Sequence, residues 1–159
     1  TAERRRRYNL MTINPTQVID AIHNLLSADT ALSALIAGGV YRQRTAPEIS
    51  RQYTPAAFDS ARNILPTMMI RLSDSTPIFG GYTGYSVEMR YWEKWNYTTI
   101  EAARERVRCL LHKQIVAVPP DQWVMLSAEY RSGEIEDTAI DYRLLIDRYQ
   151  WIGSPCDGC

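Results

Sequence analysis

A chain of 159 residues that is 45% hydrophobic and 10% aromatic has the size of one domain and enough apolar side chain for a real core. Its 18 Lys and Arg balance 18 Asp and Glu, which argues against a protein that grips nucleic acid over a broad basic face. The longest apolar stretches, such as 31–40, are about half of what a bilayer crossing needs, and Cys109, Cys156 and Cys159 cannot build a disulfide framework, so a soluble protein made in a reducing cytoplasm is expected.

In chain order, residues 1–13 read as a flexible basic arm, because Arg4, Arg5, Arg6 and Arg7 repel one another and resist folding alone. Pro15 with Val18, Ile19, Ile22, Leu25 and Leu26 has the spacing of an amphipathic helix with proline in its first turn. Asp29 or Thr30 can cap a second short helix carrying Leu32, Leu35 and Ile36, and Gly38-Gly39 supplies its stop. A helical hairpin follows from this pattern. Residues 40–44 read as a short strand, and 45–65, broken by prolines, as a polar connection with a helical turn at 56–62.

Residues 67–72 (TMMIRL) predict a buried strand, 73–84 a glycine-rich tip, and 85–95 a second strand in which Val87, Met89 and Tyr91 alternate with Glu88, Arg90 and Trp92. Thr98 or Thr99 can cap a helix whose Ile100, Ala103, Val107, Leu110 and Leu111 face the sheet, with Glu101, Arg104, Glu105 and Arg108 outward. After Pro119-Pro120, residues 123–131 and 139–152 read as two long strands joined across Ser132-Gly133. In the last, Ile140, Tyr142, Leu144 and Ile146 alternate against Asp141, Arg143 and Asp147. Residues 14–152 then form a single domain, and 153–159 a flexible C-terminal tail. The fold class expected is α+β, a mixed or antiparallel sheet of about four to five strands covered by helices.

The inventory for chemistry is thin. His23 and His112 lie in helices without a Ser, Cys or carboxylate pattern that would organise a nucleophile and base. Cys156-x-x-Cys159 has metal-ligand spacing but lacks two further ligands, Gly80-Gly81-x-x-Gly84 lacks the helix of a phosphate loop, and Glu134, Glu136 and Asp137 lack a calcium-loop pattern. No catalytic, metal or cofactor residue is assigned, no cofactor is expected, and a non-enzyme is. The arginine run fits either a solvated arm that orders on a neighbour or a DNA-contacting arm, and RYWEKWNY can serve an interface, a core or base stacking.

The order of elements, with residues 17–44 (QVIDAIHNLLSADTALSALIAGGVYRQR), 65–72 (LPTMMIRL), 85–114 and the terminal LLIDRYQWIG, resembles the tail terminator or tail completion proteins of long-tailed bacteriophages over most of 16–152. Related head-to-tail joining proteins share much of this layout. The resemblance implies helices packed on a mixed sheet and six copies closed into a ring in the virion, with the tail tube protein on one face and a neck or head-completion protein on the other. DNA passing through the lumen is a further implied contact, and no membrane is involved. A closed ring needs two different complementary edges on each chain. Loop length and aromatic character nominate Arg4, Arg5, Arg6, Arg7, Tyr53, Phe58, Phe79, Tyr82, Trp92 and Trp95 as interface residues. A head-closure protein nearer the portal, and a nucleic-acid-binding module, are the competing readings.

Overall fold

The computed structural model describes residues 13–78, 82–120, 122–138 and 142–152. The Arg4 to Arg7 run, Phe79, Gly80-Gly81 and the Cys156-x-x-Cys159 tail lie outside these residues. Among the described residues, three α-helices and eight strands follow in the order α1 (Pro15–Ala28), α2 (Thr30–Leu35), β1 (Val40–Arg42), β2 (Thr67–Ile78), β3 (Tyr82–Glu93), α3 (Thr98–Leu111), β4 (Ile115–Val118), β5 (Gln122–Met125), β6 (Ser127–Arg131), β7 (Ile135–Asp137) and β8 (Tyr142–Ile152). The α+β class is as expected.

Local chemistry starts each helix. The Asn14 side chain accepts the Thr16 N–H at 2.9 Å ahead of Pro15, and Asp29 accepts the Leu32 N–H at 2.8 Å, so one residue closes α1 and caps α2. Asp29 is also gripped by the Arg106 guanidinium at 3.0 and 2.6 Å, which ties the helical hairpin to α3 and holds the Asp29 carboxyl below its ordinary range. Gly39, at φ 100°, then turns the chain into β1. The α1 stripe of Val18, Ile19, Ile22 and Leu26 is buried, whereas Leu25 lies on the exposed side. At α3 neither threonine is the cap. Asn96 accepts the Thr98 N–H at 2.8 Å, and the buried Glu93 carboxylate receives the N–H groups of Thr99 and Ile100 at the positive end of the helix.

The main sheet runs β1-β2-β3-β8-β6, with β7 on the other half of the β8 edge; β1 is parallel to β2 and the remaining pairs are antiparallel. It has six strands, more than expected, because 135–137, read from sequence as a connection, forms β7. The segment read as a glycine-rich tip is strand on both sides: β2 and β3 pair from Thr67↔Trp92 to Ile78↔Tyr82, with a one-residue bulge between Leu72 and Ser75. In place of a helical turn over 56–62 there is a 3-10 turn, Pro55–Ala57.

One face of the sheet carries the helices and the core, which joins Val18, Ile22, Leu26 and Leu32 to Met68, Ile70, Val87, Met89, Tyr91 and Val107. The phase of β8 is the reverse of the expected one. Leu145, Asp147, Tyr149 and Trp151 face the core opposite Tyr91, Met89, Val87 and Tyr85, while Tyr142, Leu144 and Ile146 are only half-buried on the outer face. Alternation of apolar residues misleads here because Asp147 is buried against a cation. Arg104, expected on the wet side of α3, is that cation: its guanidinium lies 2.9 Å from Asp147 and also donates to the Ser132 carbonyl at 2.8 Å.

Residues 123–131, expected as one strand, divide at Leu126. Their first half, β5, leaves the main sheet and pairs with β4, an element the sequence pattern did not reveal.

Candidate interaction surface

The β4–β5 hairpin is built from two short apolar runs, IVAV and QWVM, around Pro119-Pro120, whose peptide bond is cis. Its register is Ile115↔Met125, Val116↔Val124, Ala117↔Trp123 and Val118↔Gln122. Because side chains alternate across a strand, Val116, Val118 and Val124 share the inner face and are buried in the core beneath α1. Ile115, Ala117, Trp123 and Met125 share the outer face. They are exposed, Ile115 at 64%, Trp123 at 60% and Met125 at 47%.

Neighbouring backbone fixes the hairpin. Lys113 N–H donates to the Leu126 carbonyl at 2.7 Å, and His112 Nδ1 accepts the Ala128 N–H at 2.9 Å, with burial and two nearby cations pushing the His112 pKa down. His112 thus serves as a backbone acceptor. Together the four outer side chains expose on the order of 400 Å², within the range of the largest apolar patch that an ordinary monomer carries, and such patches mark contact sites. Strands that are apolar on both faces are those buried on both faces. The outer face of this hairpin is built to be covered.

A second feature lies on the outer face of the main sheet. Arg71, Glu88, Arg148 and Tyr130 stand opposite one another on four adjacent strands, β2, β3, β8 and β6. The nearly buried Glu88 carboxylate lies 2.5 Å from Arg90, 3.5 Å from Arg148 and 3.9 Å from Arg71. Arg148 also lies over the Tyr130 ring, 5.1 Å from its centroid. Three guanidiniums share one carboxylate, so this row carries surplus positive charge.

A shallow cavity of about 130 Å³ lies at Arg108, Tyr130, Arg131, Asp147 and Tyr149. Two of its charged groups are paired with side chains of α3: Arg131 with Glu105, and Asp147 with Arg104. Burial raises the carboxyl of Asp147 above its ordinary value, and the two arginines oppose the rise. His23 donates to the Val40 carbonyl at 3.0 Å and so joins α1 to β1. Among the described residues no three His, Cys, Asp or Glu side chains converge as metal ligands, and no helix is long and apolar enough to cross a membrane.

The interface candidates chosen from sequence fall in separate places. Tyr53 is exposed on the 43–66 connection, and Phe58, on the same segment, is half-buried with the Arg51 guanidinium 5.8 Å from its ring centroid. Tyr82 opens β3. Trp92 is half-buried on the outer face of β3, and Trp95, beyond the strand end, is 69% exposed with Lys94 over its ring. Ile115, Trp123 and Met125 were not among the candidates; the usable signal was the pair of apolar runs flanking two prolines.

No protein-family model matches the chain, and no curated protein does. A fold match exists. A chain from a structure described as the virion of a native gene transfer agent particle superposes with a TM-score of 0.60, over 86% of this chain and 93% of that chain, at 14% identity. At that identity the likeness is one of fold. It shows that a chain of that particle has a similar overall fold.

Proposed function

We propose that this chain is a structural virion protein of a long-tailed phage or phage-like particle, and that it forms a ring that caps the tail tube and joins it to the head-neck connector. The observation that supports this best is the fold match, which spans nearly the whole of both chains and is to a component of a phage-like virion. The hairpin adds to it. A rigid apolar face exposed on a single chain fits a protein that works through contacts rather than chemistry.

The test is the mass of the purified protein by light scattering after size exclusion, over a concentration series, with and without tube protein. A ring of about six chains, alone or formed on the tube, is expected. A chain that ignores tube protein but holds DNA overturns the reading. The arginine row around Glu88 supports that second reading, a nucleic-acid-binding module, and it would announce itself by a loss of about one log unit of affinity per log unit of salt for each phosphate contacted.

A further inference from the structure

Exposed apolar groups lie at both ends of α3. At the C-terminal end is the outer face of the β4–β5 hairpin, with Lys113 exposed beside it. At the N-terminal end is Trp95, with Lys94 over both its ring and that of Tyr142. Tyr97 donates its hydroxyl to the Ile135 carbonyl at 2.8 Å, which brings the exposed Glu134 to this same end. The 14 residues of α3 separate the two ends by about 21 Å.

We infer that the two ends are the halves of one head-to-tail contact, in which the Ile115, Trp123 and Met125 face of one copy covers the Trp95 face of the next. The inference rests on the self-assembly proposed above. Two observations favour a second copy as the occupant. The two surfaces are different and lie apart on one rigid helix, as a heterologous contact requires, whereas a two-fold contact needs one surface that meets itself. The size of the hairpin face also agrees with an interface core. The hairpin exposes on the order of 400 Å², about half of the roughly 800 Å² that each partner contributes to a standard interface, leaving the remainder to a polar rim.

Area alone would not hold the copies. The gain from covering an apolar patch of this size is largely offset by the loss of translational and rotational freedom on association. The contact therefore depends on a few aromatic anchors. Trp123 and Trp95 are the natural ones.

The experiment uses two full-length variants, Trp123→Asp, which spoils the hairpin face, and Trp95→Asp, which spoils the other. Both tryptophans are well exposed, so the fold should survive, and circular dichroism with a thermal scan checks that. Met125→Lys serves as a second hairpin variant. Each variant alone is expected to remain monomeric by light scattering where the native chain assembles. Mixed one to one, each supplies the face that the other lacks, so the mixture is expected to run at twice the monomer mass and no larger. Native assembly that survives both tryptophan substitutions, or a mixture that stays monomeric, overturns the pairing of these faces. A native chain that is monomeric at every concentration also overturns it, with the hairpin left to a different protein. These readouts involve this chain alone, so their failure is separate from failure of tube capping, which is read with tube protein present.

Discussion

Arg104 sits among the charges of α3 that helical spacing assigns to solvent, yet it is buried at 2.9 Å from Asp147 and donates to carbonyls of Ser132 and Ile146. Burying two charges is costly, and their attraction repays the cost only with good geometry and further hydrogen bonds. The loss of one partner is then worse than the loss of both. Arg104→Met alone is expected to lower stability by about 3–5 kcal/mol, because Asp147 stays buried without its cation. Asp147→Leu alone should cost a similar amount. The double variant should cost less than either single and so fall short of their sum by about 3 kcal/mol or more, a coupling that urea denaturation of the full cycle measures. The pH dependence has a definite sign. Burial raises the Asp147 carboxyl, so its contribution to stability is full below the ordinary carboxylate value and is lost as pH rises through the folded value. Arg104→Met removes an opposing charge and should carry that loss to higher pH. The sequence pattern shows none of this pairing, since 42 residues and a whole strand exchange lie between Arg104 and its partners on β8. Periodicity reports the type of each residue and not who meets it.

The elements with chemical punctuation were the legible ones. Pro15 and Asp29 start α1 and α2 where the sequence puts them, and Gly38-Gly39 stops the hairpin. The two glycines do different work. Gly39 needs its positive φ, while a Cβ on Gly38 would collide with the Thr67 hydroxyl and lie 3.0 Å from the Pro66 carbonyl oxygen, just where the Gly38 N–H donates to that carbonyl. Gly38→Ala should therefore cost about 1–3 kcal/mol through overpacking of the β1–β2 junction. Gly133 has open space around its Cβ position and no positive φ, so Gly133→Ala should be neutral or stabilise by up to about 1 kcal/mol. A thermal scan of both variants beside the native chain checks the contrast. Elements without such marks were missed. β4 is four residues long and apolar on both faces, so no alternation betrays it, and residues 123–131 hide a change of sheet at Leu126 that leaves no mark in composition. The phase of β8 failed for a related reason: half-buried Leu144 and Ile146 look like core, and buried Asp147 looks like surface.

At the scale of the whole molecule, a chain whose hairpin face is covered only by assembly should be more stable when assembled. Any partner that binds the folded state and not the unfolded one adds RT ln(1 + [L]/Kd), about 1.4 kcal/mol for each tenfold rise in concentration well above Kd. For a domain of this length, 1 kcal/mol moves the melting temperature by about 2–4 °C. The native chain should therefore melt about 3–5 °C higher for each tenfold increase in its own concentration, while Trp123→Asp should melt at one temperature throughout. Salt separates this from the nucleic-acid reading. An apolar contact is screened only weakly, so assembly should persist from low to high salt, whereas a grip on phosphates through Arg71, Arg90 and Arg148 would be lost steeply over the same range. Scanning calorimetry at several protein concentrations, repeated at high salt, reads both quantities. A melting temperature independent of concentration in the native chain would mean that copies of this protein do not stabilise one another, and would leave the apolar hairpin to a different partner.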